Sequence, residues 1–210
     1  MLTLFHAPRS RSTRIIQLLH ELDALDQVDV RIVDLPRQDG SGARDPANPH
    51  PEGKVPLLVH DGVEIWESNA IILYLTDLFG TRPFAPQPGD PDRGRYLSWL
   101  AWYGNVIEPV LVTEVAGLSH PILTATFRGR AELEARLIAA LTDAPFLMGD
   151  HYSAADLLQV SPWTWFSDAA PKAQVVQDWI ARCSARPSGA AASAFDEAAT
   201  ATPHRMASAV

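Results

Sequence analysis

The sequence has very little cysteine and no long apolar or basic run, and each of these features argues against a class of protein. The single cysteine among 210 residues, Cys183, cannot form an internal disulfide and indicates a reducing compartment, so we expect the protein in the cytoplasm. No apolar run is long enough to span a bilayer, and no basic segment with an apolar core precedes the first strand-like residues. We therefore expect neither a membrane anchor nor a secretory signal.

The charge balance and the histidines argue against two further classes. The formal net charge is -8, and no basic stripe interrupts it, so we expect no nucleic-acid partner. The seven histidines lack the spacing of metal ligands, so we expect no metal site. What remains is a chain that is 47% hydrophobic and 20% charged, which is ordinary for a soluble globular protein of one large or two small domains.

The first third of the chain alternates between strand-like and helix-like patterns. The apolar run Leu2–Phe5 predicts a buried strand, and the apolar residues after Thr13 recur with helical spacing. Alternation over residues 28–35 predicts a second strand. Asp61-Gly62 predicts the turn of a hairpin, and Ser68 opens another helical pattern. The predicted order is βαβ, loop, ββα.

The rest of the chain has helical patterns after a proline-rich segment. We predict a long helix that opens at Asp90–Pro91 with a kink at Pro109, and further helices over about 124–142, from Ser153 and from near Pro171. Residues 188–210 are rich in alanine and serine, with weak periodicity and final turns that we expect to be frayed. The prediction is an α+β protein with a βαβ-ββα domain over 1–79, a linker over 80–91 and an all-helical domain over 92–210.

Three short segments of the first domain could form a site together. They are the turn with Ser10 and Ser12 before the first helix, the segment Lys54-Val55-Pro56 that enters a strand, and Glu67-Ser68 at the start of a helix. In a βαβ-ββα sheet these turns can lie at one edge, where helix N-termini present free N–H groups. Such an edge is suited to an anionic ligand.

In this order and spacing, the motifs resemble those of a bacterial glutathione S-transferase. The resemblance covers nearly the whole chain through about residue 187. It includes the motif Ser153-x-x-Asp156 in the helical half. It implies a thioredoxin-like first domain, glutathione as cosubstrate, a two-fold homodimer and a role in detoxification. It implies a reaction in which the glutathione thiol attacks a small hydrophobic electrophile.

The resemblance also implies roles for the residues of the first domain. Pro56 would be cis and would turn the Val55 backbone outward to pair with glutathione. Glu67 and Ser68 would hold the γ-glutamyl group, and Arg11, Ser12 and Lys54 would add contacts. Taken alone, each motif has a structural reading as well: a proline that begins an ordinary strand, or a carboxylate at a helix start that faces water.

Ser10 and Ser12 compete for the role of thiol activator. Ser10 lies two residues after Pro8, where the delta and theta classes of the family carry their catalytic serine. A hydroxyl that donates to the sulfur stabilises the thiolate over the thiol. The alternative is that Ser10 caps the helix, and Ser12 lies at the next possible cap position. We favour Ser10 as the catalytic residue.

This sequence departs from the beta class of glutathione S-transferases at two positions, and these departures limit which chemistry of that class can be expected here. Arg11 stands where that class has its cysteine, and no Cys-x-x-Cys follows the first strand, so redox chemistry at a protein thiol is not expected. Glu108 stands where that class has a histidine of the electrophile pocket. We expect this pocket to be lined by Trp102, Tyr103, Glu108 and Trp165, although aromatic residues at helical spacing more often pack in a core.

Three functions fit this sequence. The leading one is a glutathione transferase. A glutathione-dependent isomerase, etherase or dehalogenase would use the same site, and a non-catalytic binding or scaffold protein would reuse the fold without the chemistry.

Overall fold

The computed structural model describes residues 1–201. Its first part has four strands and two helices, and the later part is helical. The bounds are β1 Leu2–His6, α1 Thr13–Glu21, β2 Asp29–Ile32, β3 Leu57–His60, β4 Val63–Trp66, α2 Ser68–Phe79, α3 Arg93–Trp102, α4 Glu108–Val115, α5 Pro121–Phe127, α6 Arg130–Leu141, α7 Ala154–Trp165, α8 Gln174–Ser184 and α9 Pro187–Ala201.

The four strands form one mixed sheet in the order β2-β1-β3-β4. β1 pairs parallel to β2, and α1 makes the crossover that a parallel pair requires. β3 pairs antiparallel to both β1 and β4, and β3 and β4 form the predicted hairpin around Asp61-Gly62. β1 is buried along its whole length, as its apolar sequence predicts. The predicted α+β fold class and the βαβ-ββα order are confirmed.

Contacts divide the chain into two compact units. The first unit contains Met1–Leu75 and continues with the segment from Pro187, and the second unit contains Thr76–Arg186. This division places α9 with the sheet, whereas the sequence-based domains group it with the helical half. The boundaries 1–79, 80–91 and 92–210 stay a prediction.

In the first unit, α1 packs against α9. The predicted apolar face of α1 is buried at Ile15, Leu18 and Leu19. α9 lies along α1, and a Cβ built on Gly189 would meet the Gln17 side chain at 3.7 Å, an ordinary contact distance. The segment 188–201 is therefore an ordered part of this unit, and the remainder of the predicted frayed tail lies outside the described residues.

In the second unit, the helices differ from the prediction at three boundaries. The first helix begins at Arg93 rather than at Asp90–Pro91, because Asp90 accepts a hydrogen bond from the N–H of Gln87 in the preceding turn. The predicted kink is a π-helical segment over Tyr103–Ile107, after which α4 restarts with Pro109 in its first turn. The predicted helix over 124–142 is two helices.

The break between α5 and α6 has a local cause. Arg128 adopts φ 72, in the left-handed region, which ends α5. The Glu132 carboxylate then accepts a hydrogen bond from the Gly129 N–H at 3.0 Å, which caps the start of α6. A glycine followed three residues later by a glutamate was the sequence signal for this second start.

Candidate functional site

The strand register brings the three predicted turns to the same end of the sheet. Phe5 pairs with Leu57, and Leu57 pairs with Trp66 on its other side. Because β3 is antiparallel to both neighbours, the exit of β1, the entry of β3 and the exit of β4 coincide. Pro56 and Glu67 each lie one residue beyond this row, and the turn with Ser10 follows the same end of β1.

At the entry of β3, the Val55–Pro56 peptide is cis, in agreement with the expectation from the resemblance. The preceding loop is held by buried polar side chains: the Asn48 amide donates to the Lys54 carbonyl at 3.0 Å, and Asn48 is only 4% exposed. Lys54 itself is exposed. Among residues 1–201, the Val55 main chain has no hydrogen-bond partner. The loop therefore presents the unpaired Val55 main chain at this end of the sheet.

At the exit of β4, Glu67 and Ser68 begin α2. Glu67 has φ 71, which is uncommon for a residue with a side chain, and its carbonyl accepts the first helical bond from Ile71 N–H at 3.0 Å. The Glu67 side chain is exposed, and Ser68 is buried. A left-handed residue at a conspicuous turn is a reason to look for function. Here it places a carboxylate directly beside a helix N-terminus.

Ser10 lies half-buried in the turn before α1. Its hydroxyl donates to the Ala7 carbonyl at 2.7 Å, and its oxygen accepts the Ser12 N–H at 3.1 Å. The alternative role of a helix cap is not filled by Ser10, because its side chain bonds within the turn rather than to the first turn of α1. The hydroxyl hydrogen can rotate away from Ala7 toward a ligand.

Ser12 occupies a different environment from Ser10. It stands at the N-cap position of α1, but its side chain makes no hydrogen bond to the helix, so its expected role as a helix cap is wrong. The hydroxyl instead contacts His6 Nδ1 at 2.6 Å and accepts the Ala7 N–H at 3.1 Å, and the residue is 0% exposed. The predicted contact of Ser12 with a ligand stays a prediction that this burial does not favour.

Two residues at this end of the sheet were missed by the sequence reasoning. His6 is the last residue of β1 and is fully buried, and its Nε2 lies 3.0 Å from a carboxylate oxygen of Asp196 on α9. The other Asp196 oxygen accepts bonds from the Arg9 N–H at 2.6 Å and the Thr13 hydroxyl at 2.7 Å. Partners separated by 190 residues leave no local pattern, so no sequence signal could have found this pair.

The ionisation of Asp196 follows from these contacts. Burial by itself raises the pKa of a carboxyl, but the hydrogen bonds from His6, the Arg9 N–H and Thr13 outweigh it and hold the pKa of Asp196 below its usual value. Asp196 is therefore a carboxylate in the folded protein.

The arginines of the turn fall into exposed and buried positions. Arg9 and Arg11 are exposed, whereas Arg14 is 4% exposed within α1. The half-buried Arg37, from the loop after β2, donates to the Pro8 carbonyl at 3.0 Å and is a further residue that the sequence reasoning missed. The positive side chains and the N-terminus of α1 together give this end of the sheet a positive potential.

The expected electrophile-pocket residues lie in the second unit and differ in their surroundings. Trp102 packs edge-to-face on Trp99 at 5.3 Å and lines a cavity of about 410 Å³. Tyr103 is buried in the π-helical segment, Glu108 is half-buried, and Trp165 is 44% exposed at the end of α7. None of these three lines the Trp102 cavity. Their role stays a prediction.

Three further observations concern the cysteine, groups of possible metal ligands and the helix lengths. Burial raises the pKa of the Cys183 thiol, and the Asp156 carboxylate adds to the effect, so this thiol is not a nucleophile at neutral pH. Within residues 1–201, no group of three or more His, Cys, Asp or Glu side chains is placed to hold a metal ion. Over the same residues, no helix is long and apolar enough to cross a membrane.

Known proteins similar to this chain share one family. The family model for the glutathione S-transferase N-terminal domain matches residues 1–77. "Glutathione S-transferase 3" of Schizosaccharomyces pombe is 35% identical over 130 residues, which cover 61% of this chain and 52% of that protein. The chain thus spans about half the length of the first curated relatives that it matches.

Solved structures match over a greater length. A glutathione transferase from Methylococcus capsulatus str. Bath has a TM-score of 0.73 at 28% identity, over 94% of this chain and 100% of that one. A sphingomonad glutathione S-transferase complexed with glutathione has a TM-score of 0.73 at 25% identity, over 93% and 98%. Residues 1–77 thus carry the N-terminal domain of the glutathione S-transferase family, and the fold over nearly the whole chain is that of glutathione transferases. The bacterial and serine-type character stay predictions.

Proposed function

We propose that the protein is a glutathione transferase, which activates the thiol of glutathione for attack on a small hydrophobic electrophile. The observation that carries this proposal is the common position of Ser10, the cis Val55–Pro56 peptide and Glu67-Ser68 at one end of the sheet. The sphingomonad relative, whose structure contains glutathione, supports the choice of ligand.

The residues at this end of the sheet match the chemical groups of a γ-glutamyl tripeptide. The unpaired main chain of Val55 can form strand-like hydrogen bonds with a peptide backbone. The exposed Glu67 carboxylate supplies a counter-charge for an ammonium group, and the N-terminus of α2 at Ser68 suits a carboxylate. Lys54 and Arg11, both exposed, supply positive charge for a second carboxylate.

Ser10 is the proposed catalytic residue. Its half-buried hydroxyl donates to the glutathione sulfur, and a hydrogen bond to an anion is stronger than one to a neutral thiol, so the thiolate is favoured. The N-terminus of α1 and Arg11 act in the same direction. Activation of the nucleophile and its orientation are the contributions that we assign to the protein.

The electrophile, the assembly and the location are proposed from other residues. Trp102, Tyr103, Glu108 and Trp165 are proposed to contact a small hydrophobic electrophile, and exposed apolar residues on β4 support a homodimer. The single cysteine supports a cytoplasmic location.

The experiment that tests this function measures glutathione binding and the ultraviolet absorbance of the bound thiolate against pH. We expect Ser10→Ala to change glutathione affinity little but to raise the pKa of the bound thiol by about one to two units, the usual scale for a lost hydrogen bond to an anion. Ser193→Ala, which removes an exposed serine of α9, is the matched control and should leave both quantities unchanged.

Other outcomes would point to the other functions. A protein that is not retained on immobilised glutathione would be a binding or scaffold protein, and the transferase proposal would be wrong. Binding with an ordinary thiol pKa in the unmodified protein would leave glutathione as ligand but remove Ser10 as activator. Activity only with an isomerisation, ether or dehalogenation substrate, from an electrophile panel, would identify glutathione as a recycled cofactor.

A further inference from the structure

A continuous chain of polar side chains connects α9 to Ser10 inside the first unit. The Asp196 carboxylate lies 3.0 Å from His6 Nε2, His6 Nδ1 lies 2.6 Å from the Ser12 hydroxyl, and that hydroxyl lies 2.8 Å from the Ser10 hydroxyl. All three distances are within hydrogen-bonding range. The inner three residues are at most 4% exposed, whereas Ser10 is half-buried. The chain therefore reaches the ligand side only through Ser10.

The ionised Asp196 fixes the direction of the hydrogen bonds. A carboxylate can only accept, so His6 Nε2–H must donate to it. In a neutral ring Nδ1 is then an acceptor, and the single hydrogen of the Ser12 hydroxyl donates to it at 2.6 Å in preference to the Ala7 carbonyl at 3.2 Å. Ser10, in turn, can donate to the Ser12 oxygen after a rotation of its hydroxyl from Ala7. After that rotation each hydrogen points inward, from Ser10 toward His6.

The same combination of groups moves protons in other proteins. In hydrolases with a Ser-His-Asp arrangement, the carboxylate sets the tautomer of a resting neutral imidazole and stabilises the imidazolium that forms when the ring takes a hydroxyl proton. Here the carboxylate is itself held by the Arg9 N–H and the Thr13 hydroxyl, so its orientation is fixed.

We propose that His6 accepts the thiol proton of glutathione through the hydroxyls of Ser10 and Ser12. This inference rests on the proposed function. The thiol S–H bond breaks and its proton passes to the Ser10 oxygen, the Ser10 proton passes to the Ser12 oxygen, and the Ser12 proton forms a new N–H bond at His6 Nδ1. The products are a thiolate and an imidazolium paired with Asp196. Ser10 and Ser12 end the transfer as neutral hydroxyls.

The charges around His6 agree with this direction. The Asp196 carboxylate lies 3.0 Å from His6 Nε2 and places a negative charge on the side of the ring away from Ser12. The Phe195 ring packs edge-on against His6 at 5.8 Å and adds no charge. The neighbouring elements carry further charged or titratable side chains. On the turn and α1 these are Arg9, Arg11, Arg14, His20 and Glu21. The strands carry Asp29 and Arg31 on β2 and His60 on β3, and α9 carries Glu197.

The test counts protons released to solvent for each thiolate formed. Glutathione binding is measured by calorimetry in buffers of different ionisation enthalpy at about pH 7.5, where an ordinary histidine is neutral, and the thiolate is measured by ultraviolet absorbance. S-methylglutathione, which has no thiol, is titrated in parallel, and its proton count is subtracted. We expect about zero protons per thiolate from the unmodified protein, because the proton stays on His6.

Variants locate the acceptor. In His6→Gln the side chain cannot take a proton, so we expect about one proton released per thiolate and a thiol pKa raised by about one to two units. In Asp196→Asn the amide donates to Nε2 and forces the ring proton to Nδ1, so the same change is expected. Glu197→Gln removes an equal charge from the next residue of α9, which is exposed, and should behave as the unmodified protein.

The outcomes separate this inference from the proposed function. Thiolate formation with about one proton released by the unmodified protein would overturn the relay and leave the transferase proposal standing. Absence of a bound thiolate in the unmodified protein would overturn both. If His6→Gln does not fold, the nitrogen resonance of His6 Nδ1 in the unmodified protein decides: protonation on addition of glutathione supports the relay, and an unchanged Nδ1 overturns it.

Discussion

Glu67 combines an exposed carboxylate with a left-handed backbone in a single residue. The conformation costs free energy for any residue with a Cβ, and none of the ion pairs among residues 1–201 includes this side chain. A carboxylate in this position is therefore better explained by a ligand than by the stability of the fold.

This explanation predicts the effect of removing the carboxylate. We expect Glu67→Ala to weaken glutathione affinity by about 1.5–3 kcal/mol, the range for a hydrogen bond to a charged group, with little change in the free energy of unfolding. Glu64→Ala, on the exposed face of the adjoining strand β4, is the matched control and should bind as the unmodified protein does. Calorimetry that shows equal affinity for both variants would remove Glu67 from the site.

At the same scale, the sequence identified the residues with local signatures. Ser10, Pro56 and Glu67 stand in short motifs, and the structure places all three at one end of the sheet. His6 has no such signature, because its sequence position is only that of the last residue in a buried strand. What makes it unusual is a carboxylate 190 residues away, which packing alone brings into contact.

At the scale of elements, periodicity predicted which segments are helices and strands better than where they end. The hairpin around Asp61-Gly62 and the helix from Ser68 are found where expected, because turn chemistry and alternation are local. The helix over 124–142 was wrong as a single element, since one left-handed residue at Arg128 interrupts an otherwise continuous helical pattern.

The start of helix α7 has a clear signal in the sequence, the motif Ser153-x-x-Asp156. The Ser153 N–H and hydroxyl both donate to the Asp156 carboxylate, at 3.0 and 2.7 Å, and the helix begins where the Ser153-x-x-Asp156 motif predicts it. Asp156 also accepts the Leu147 N–H at 2.8 Å and the Trp179 indole N–H at 2.9 Å. One buried carboxylate thus holds the start of α7, the preceding loop and α8 together.

Removal of this carboxylate should therefore destabilise the second unit severely. Asp156→Ala leaves four buried donors without their acceptor, and we expect the free energy of unfolding to fall by at least about 3 kcal/mol. Urea denaturation followed by tryptophan fluorescence measures the effect. Asp150→Ala, in the exposed part of the same loop, should stay within about 0.5 kcal/mol of the unmodified protein. Similar losses in the two variants would mean that Asp156 does not hold these elements.

At the scale of the whole molecule, the sheet leaves an exposed edge. β4 is an edge strand, and Val63 and Trp66 on it are 64% and 54% exposed. Tyr74 of α2 lies next to this strand, because its hydroxyl is 2.6 Å from His60 Nδ1 and His60 pairs with Val63. Edge strands with large apolar side chains are prone to associate with another chain. This surface supports the homodimer that the resemblance implies.

The homodimer leads to a prediction that can be checked by sedimentation. We expect a species of twice 23.0 kDa at micromolar concentration. Val63→Glu places an unpaired charge in each half of a two-fold interface, so we expect its dimer to dissociate at a concentration at least about tenfold higher, which corresponds to about 1.4 kcal/mol. Val63→Ile keeps an apolar side chain at the same position and should sediment as the unmodified protein does. A 23.0 kDa species alone in the unmodified protein would contradict the homodimer, and a dimer unaffected by Val63→Glu would place the interface away from the β4 edge.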